Sequence, residues 1–194
     1  MNPSVAQRAT ILTLLAVAIA ATRLHHFAVI PDASWAVFFV AGFYLRSWTR
    51  WAFPALLALA VLVDWVAIQA QGLSFWQHYC VSPAYWCLVP AYFALWAGGT
   101  WLRRQSPARD LRSLGLLAAS LLASVAVCHL IAQGSFYWIS SSVAEPTFAG
   151  WWKNYSDWLL PYLGTTALYV GIAAAAHLAI ANVPARSNPA IGGR

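Results

Sequence analysis

Charged residues are scarce in this 194-residue chain, at 8% of the sequence, whereas 61% of the residues are hydrophobic. A soluble globular domain carries roughly 25% charged residues, so this chain lacks the side chains needed to cover a water-facing surface. The composition therefore predicts an integral membrane protein. The net charge of +6 would indicate a nucleic-acid partner in a soluble protein. Here the placement of the arginines explains it, and no nucleic-acid partner is expected.

The sequence also lacks the motifs of several protein classes. Its three cysteines, Cys80, Cys87 and Cys128, include no C-x-x-C pair, which excludes a thioredoxin-type motif and a framework of several disulfides. No segment matches a Walker A loop or a dinucleotide-binding fingerprint. The chain therefore carries no evident ATP-driven motor of its own.

Six apolar runs predict an all-α membrane protein, a six-transmembrane-helix bundle, because one span needs about 20 mainly apolar residues. The first run resembles a signal peptide but is interpreted as the first transmembrane helix. The second is short, which suggests a tilted or partly interfacial helix, and a long connection is expected over residues 134–157. The predicted helices of this single domain, residues 1–194, cover residues 8–24, 34–48, 51–71, 84–102, 113–133 and 158–182.

Lysine and arginine positions orient the predicted bundle, because these residues are enriched in cytoplasmic loops. With six spans and a cytoplasmic amino end, every lysine and arginine except Arg23 and Lys153 falls on the cytoplasmic side. This asymmetry predicts that both termini are cytoplasmic.

The predicted outer side gathers the chemically unusual residues. Ligand pockets are mostly apolar with a few placed polar groups, and thiolate and imidazole bind the softer transition metals. An ionisable residue within a span is itself a functional candidate. This side therefore suits a flat, largely apolar ligand with a soft metal centre. The candidate ligand-binding residues are Trp76, His78, Tyr79, Cys80, Tyr85 and Asp64.

Each candidate also has a structural explanation. Cys80 could be a small buried hydrophobe, although an idle thiol in a polar outer loop would risk oxidation. Asp64 could make a hydrogen bond to a neighbouring helix. The flanking apolar residues favour a core position for Cys87 and Cys128. Interfacial or hydrogen-bonded positions are expected for three histidines, His25, His26 and His129.

The loop His78-Tyr79-Cys80-Val81-Ser82-Pro83 is similar to the cysteine-bearing loop of BtuM-type cobalamin transporters. The six short helices and the small-residue first helix resemble the related S-components of energy-coupling factor (ECF) transporters. The resemblance implies cobalamin uptake across the bacterial inner membrane. It implies that Cys80 is the axial cobalt ligand and assists removal of cyanide from cyanocobalamin. It further implies an ECF coupling module docked at Ala16 and Ala20, whose small-xxx-small spacing allows close helix approach.

Three other interpretations remain open. The chain could be an S-component for another vitamin, with an incidental Cys80. It could be a transition-metal ion permease whose ligands are His78, Cys80, His129 and Asp64. It could also be a membrane enzyme with Cys80 as nucleophile and His78 as base, although no third orienting group is evident in the sequence.

Overall fold

The computed structural model describes residues 3–24, 31–78, 81–105, 107–108 and 110–181. Over these ranges the chain is helical and contains no strand, which confirms the all-α fold class. The α-helices are α1 Val5–Arg23, α2 Ser34–Tyr44, α3 Thr49–Ala70, α4 Leu88–Arg104, α5 Leu111–Ile139 and α6 Phe148–Ala181. Three short 3₁₀ helices connect them, Arg46–Trp48, Phe75–Gln77 and Pro83–Cys87.

Among the described residues, four helical segments are long and apolar enough to cross a membrane. They are Val5–Arg23, Arg46–Ala70, Leu111–Ile139 and Phe148–Ile180. α2 has 11 residues and α4 has 17, fewer than the about 20 that one span needs. The structure therefore supports a membrane-embedded protein, and the crossing of the membrane by all six helices stays a prediction.

The predicted long connection between the fifth and sixth helices is wrong. α5 continues to Ile139 and α6 starts at Phe148, so only residues 140–147 connect them. The residues on either side were predicted to form a loop because polar and aromatic side chains interrupt the apolar run there. Side chains three or four residues apart still support a helix, as in the 2.6 Å ion pair between Lys153 Nζ and Asp157 Oδ2.

α2 is the central helix of the bundle. Every residue from Ser34 to Gly42 is buried, and its almost entirely apolar sequence explains why it can be covered on all sides. The prediction that this short helix is tilted or partly interfacial concerns its position in the membrane and stays a prediction. This helix also ends earlier than predicted, at Tyr44, and the 3₁₀ helix Arg46–Trp48 leads directly into α3.

α2 and α4 pack with their backbones in contact. A Cβ atom at Gly42 would collide with the carbonyl of Trp96, and one at Gly99 would collide with the carbonyl of Phe39. Thr100 Oγ1 donates a hydrogen bond to the Gly42 carbonyl at 3.1 Å. Small residues on both helices thus permit the close approach that is common between membrane helices.

Contacts between helix ends show which ends lie on the same side of the bundle. Arg23, at the end of α1, bonds Asp64 near the end of α3. Ser135 Oγ, near the end of α5, donates to the Ala84 carbonyl at 3.5 Å. We call this the Asp64 end. At the opposite, arginine-rich end, three arginines lie over aromatic rings: Arg8 over Trp48, Arg50 over Trp51 and Arg103 over Phe43.

A cavity of about 640 Å³ opens at the arginine-rich end, mainly between α2, α5 and α6. Tyr44 Oη and His177 Nδ1, which both line it, are hydrogen-bonded at 2.8 Å. Asp110 also lines it and caps α5, where its Oδ1 accepts from Ser113 N at 2.8 Å. This hydrogen bond lowers the pKa of the Asp110 carboxyl. The cavity lies at the end of the bundle opposite the predicted ligand site.

Candidate ligand-binding site

A buried ion pair joins α1 to α3 at the Asp64 end. Arg23 Nε donates to Asp64 Oδ1 at 2.6 Å, and Arg23 Nη2 donates to Asp64 Oδ2 at 2.8 Å. The Arg23 side chain is 7% exposed and that of Asp64 is 17% exposed. Two parallel hydrogen bonds fix both the distance and the plane of such a pair. The ion pair therefore fixes the position of the end of α1 relative to the end of α3.

A second carboxylate ties the start of α2 to the same guanidinium. Arg23 Nη1 donates to Asp32 Oδ2 at 2.9 Å, to Ser34 Oγ at 3.1 Å and to Tyr92 Oη at 3.2 Å. Asp32 Oδ1 accepts from Ser34 N at 2.9 Å and from Ser34 Oγ at 2.6 Å. One guanidinium thus links α1, α2, α3 and α4. We call the connected residues the Arg23 network: Arg23, Asp32, Ser34, Asp64, Tyr85 and Tyr92.

The loop between α3 and α4 is fastened to this network. Tyr85 Oη donates to Asp64 Oδ2 at 2.6 Å. Earlier in the loop, Phe75 is buried and packs in a small apolar cluster with Ile68 and Tyr85. The loop is therefore attached to the bundle both before and after residues 79–80.

Four of the six predicted site residues fall within the described ranges, and Tyr79 and Cys80 lie outside them. Trp76 is 73% exposed, and its ring packs edge-on against Phe75. His78 is half-buried, and its carbonyl accepts from Val81 N at 2.8 Å. Trp76 and His78 therefore lie in the same short segment at the Asp64 end.

The other two predicted site residues, Asp64 and Tyr85, are hydrogen-bonded to each other and belong to the Arg23 network. The structural explanation considered for Asp64, a hydrogen bond to a neighbouring helix, is therefore confirmed by its bonds to Arg23 on α1. Contact of Asp64 or Tyr85 with a ligand stays a prediction. Both residues nevertheless position the loop that carries Cys80.

The remaining cysteines and one histidine occupy structural positions. Cys128 is fully buried in the main core, as predicted. Cys87 is half-buried rather than in the core, in contrast to the prediction, and both are free thiols. His129 is 1% exposed, and its Nε2 lies 3.1 Å from the Tyr155 carbonyl, which confirms the hydrogen-bonded interpretation. The predicted positions of His25 and His26 lie outside the described residues. Within the described part of the chain, no three His, Cys, Asp or Glu residues are grouped to hold a metal ion.

A cavity beside the Arg23 network is too small for an organic ligand. It offers about 20 Å³ to the centre of a water-sized sphere and is lined by Arg23, Tyr85 and Tyr92 among others, which is room for about one water molecule. A large ligand at the Asp64 end therefore has to bind elsewhere than in this cavity.

Sequence analysis missed four members of the Arg23 network, namely Arg23, Asp32, Ser34 and Tyr92. Arg23 was counted only as an exception to the charge asymmetry. A useful signal was present, since an arginine ending one apolar run and an aspartate within another can satisfy each other inside a membrane. Asp32 carried no comparable signal, because it follows Pro31 in a segment that reads as an ordinary turn.

No protein-family model matches this chain, and no curated protein matches it in sequence. Its function is therefore inferred from its own residues.

Proposed function

We propose that this chain is a six-span protein of the bacterial inner membrane that takes up cobalamin. The corrinoid binds on the periplasmic side, with Cys80 as the axial ligand to cobalt. The observation that best supports the proposal is that the loop containing Cys80 is anchored to the bundle at two points. Before Cys80 the buried Phe75 anchors it, and after Cys80 the hydrogen bond between Tyr85 and Asp64 does so. A loop held on both sides of its thiol loses less conformational entropy when that thiol binds a metal.

Cys80 supplies the metal chemistry in this proposal. Thiolate is a soft donor suited to such a metal centre, and coordination favours loss of the thiol proton. The corrinoid's own nucleotide base is displaced. Donation to one axial face of cobalt weakens the bond on the other face, so cyanide departs with its electron pair. The side chains of Trp76, His78 and Tyr79 contact the corrinoid beside Cys80.

The charge distribution supports the proposed orientation. The arginine-rich end faces the cytoplasm, in line with the enrichment of basic residues in cytoplasmic loops. At the Asp64 end, Arg23 is paired with Asp64 and Asp32. Lys153, on the same side, is paired with Asp157. The Asp64 end therefore carries little uncompensated positive charge, which supports the proposal that it faces the periplasm and that both termini are cytoplasmic.

Docking of an ECF coupling module at Ala16 and Ala20 is a further part of the proposal. Ala16 packs partly against the core, and Ala20 is also half-buried. Leu14 and Val17, by contrast, are exposed on α1. A docked module would therefore contact these exposed neighbours together with the two alanines.

Uptake of radiolabelled cyanocobalamin tests the proposal, in cells that lack other cobalamin transporters and express this chain. Wild type is expected to accumulate label above the empty-vector background, and Cys80→Ala to fall to that background. Cys87→Ala is the matched control, because Cys87 is a half-buried free thiol at the same end, and normal uptake is expected. Equal uptake by Cys80→Ala and wild type would contradict the role of the thiol. Background uptake by well-expressed wild type would contradict cobalamin as the substrate.

A further inference from the structure

Four of the five buried side-chain polar atoms that lack a hydrogen-bond partner among the described residues lie at the Asp64 end, and the fifth, Arg8 Nε, lies at the arginine-rich end. Among the described residues, neither amide atom of Gln133 has a partner, and the same holds for Trp151 Nε1 and Ser82 Oγ. Gln133 is on α5, Trp151 is on α6, and Ser82 immediately precedes the 3₁₀ helix Pro83–Cys87, which contacts α5 through the Ser135–Ala84 hydrogen bond. Three elements thus each contribute an unsatisfied group near the loop of the proposed site.

Gln133 and Trp151 occupy matching positions in the seam between α5 and α6. His129 and Tyr155 pair across this seam. Because residues four apart share a helix face, Gln133 lies one turn beyond His129 on α5. Trp151 lies one turn before Tyr155 on the antiparallel α6. Gln133 and Trp151 are therefore each one helical turn closer to the Asp64 end than the His129–Tyr155 pair. Trp151 Nε1 lies 3.6 Å from the position that a Cβ atom on Gly134 would occupy.

The orientation of the Trp151 indole is set by its aromatic neighbours. Its ring centroid lies 5.2 Å from that of Phe148 and 5.9 Å from that of Tyr155. Rings at these separations pack favourably. The indole N–H is therefore held toward α5 before any ligand arrives, as a positioned donor should be.

Leaving an amide buried and unpaired is unfavourable. A leucine of similar size at position 133 would avoid this penalty. The retention of three such groups at one end points to a partner outside the described residues.

The chemistry of the three groups narrows the class of that partner. An indole donates only, whereas a glutamine amide and a serine hydroxyl can both donate and accept. None of the three carries a charge. They therefore match a neutral group that both accepts and donates, such as a carboxamide, better than a phosphate or a carboxylate.

We infer that Gln133, Trp151 and Ser82 bind carboxamide groups of the transported ligand. This inference rests on the proposed function, since acetamide and propionamide side chains line the rim of the corrin ring. Gln133 pairs with one carboxamide in both directions, and Trp151 donates to its carbonyl. Ser82 lies two residues after Cys80, which keeps rim binding within reach of cobalt coordination. Because these polar atoms are buried although their residues are only half-buried, the side chains have to rearrange before a ligand reaches them.

The test compares Gln133→Leu and Trp151→Phe with wild type in two measurements on detergent-purified protein. Trp151→Phe keeps an aromatic ring and removes the N–H. Thermal unfolding without ligand should show an equal or higher midpoint for Gln133→Leu, because an unsatisfied amide is removed. Spectroscopic titration with cyanocobalamin should show affinity lowered about tenfold in each variant, the equivalent of one lost hydrogen bond. Gln105→Leu, an exposed glutamine at the arginine-rich end, should leave the affinity unchanged.

A cyanocobalamin monocarboxylate, in which one rim amide is hydrolysed, makes the test specific. If Gln133 pairs with that amide, wild type binds the acid more weakly than cyanocobalamin, and Gln133→Leu binds the two with similar affinity. A lower unfolding midpoint for ligand-free Gln133→Leu, or wild-type affinity in both variants, would overturn the inference and leave the proposed function intact. Failure of wild type to bind any corrinoid would overturn the proposed function and the inference together.

Discussion

At the scale of single residues, Arg23 has the largest structural role at the Asp64 end. One guanidinium contacts two carboxylates, a serine and a tyrosine, and so joins four helices. Buried ion pairs of this kind do not necessarily stabilise a protein relative to apolar residues, but breaking one leaves an unpaired buried charge. The identity of the residue at position 23 is therefore coupled to that at position 64.

Arg23→Met should lower the free energy of unfolding by about 3–5 kcal/mol, because it leaves the Asp64 and Asp32 carboxylates without their cation. Thermal unfolding in detergent measures the change. Lys153→Met, which breaks the exposed pair with Asp157, is the control and should have little effect. A double variant, Arg23→Met with Asp64→Leu, should recover part of the loss. Equal stability of Arg23→Met and wild type would contradict the structural role of the network.

Residue-scale prediction from the sequence succeeded where the signal was local. Asp64 was identified because a carboxylate within an apolar run is unusual, and Cys128 because apolar residues flank it. Their partners were not predictable in the same way, since Arg23 and Asp64 are 41 residues apart. The sequence also did not indicate that the Gln133 amide lacks a hydrogen-bond partner, because this depends on how the helices pack, which a single sequence does not reveal.

At the scale of the elements, the contact between α2 and α4 determines the core. A short, fully buried helix can occupy the centre of the bundle only if its neighbours approach closely, and Gly42 and Gly99 allow this approach. The resulting backbone contact leaves no room for even a methyl group at either position.

Gly99→Ala should destabilise the protein by at least about 1–3 kcal/mol, the range for overpacked cores, because the new Cβ meets the Phe39 carbonyl rather than a movable side chain. Gly115→Ala on α5 is the matched control. No atom lies within 4 Å of its added Cβ, and alanine favours the helix, so stability should be unchanged or higher. Unfolding midpoints in detergent compare the two. A fall of the same size in both variants would contradict the close packing of α2 and α4.

Element boundaries were predicted well only where hydropathy changes sharply. The start of α2 and the end of α3 lie within a residue or so of the predicted ones. The end of α5 and the start of α6 were missed, because tryptophans, Lys153 and Asp157 resemble a loop in composition. α6 has 34 residues, about 51 Å of helix at 1.5 Å per residue. That exceeds the roughly 30 Å hydrocarbon core, so part of α6 must lie outside it.

At the scale of the whole molecule, the chain combines a buried polar network at one end with arginines over aromatic rings at the other. The sequence predicted this polarity through the distribution of basic residues. It did not predict the cavity of about 640 Å³ at the arginine-rich end, because cavities arise from how helices diverge. The central position of the shortest helix was equally hidden, since hydropathy alone does not distinguish a buried helix from a membrane-facing one.

The most direct test of the central claim is the absorption spectrum of detergent-purified protein incubated with cyanocobalamin. Cobalt–thiolate coordination should shift the corrin bands in wild type and in Cys87→Ala, and the shift should be absent in Cys80→Ala. An unchanged spectrum in wild type, with no corrinoid retained after gel filtration, would contradict cobalamin binding by this chain. The same shift in wild type and Cys80→Ala would contradict coordination of cobalt by Cys80.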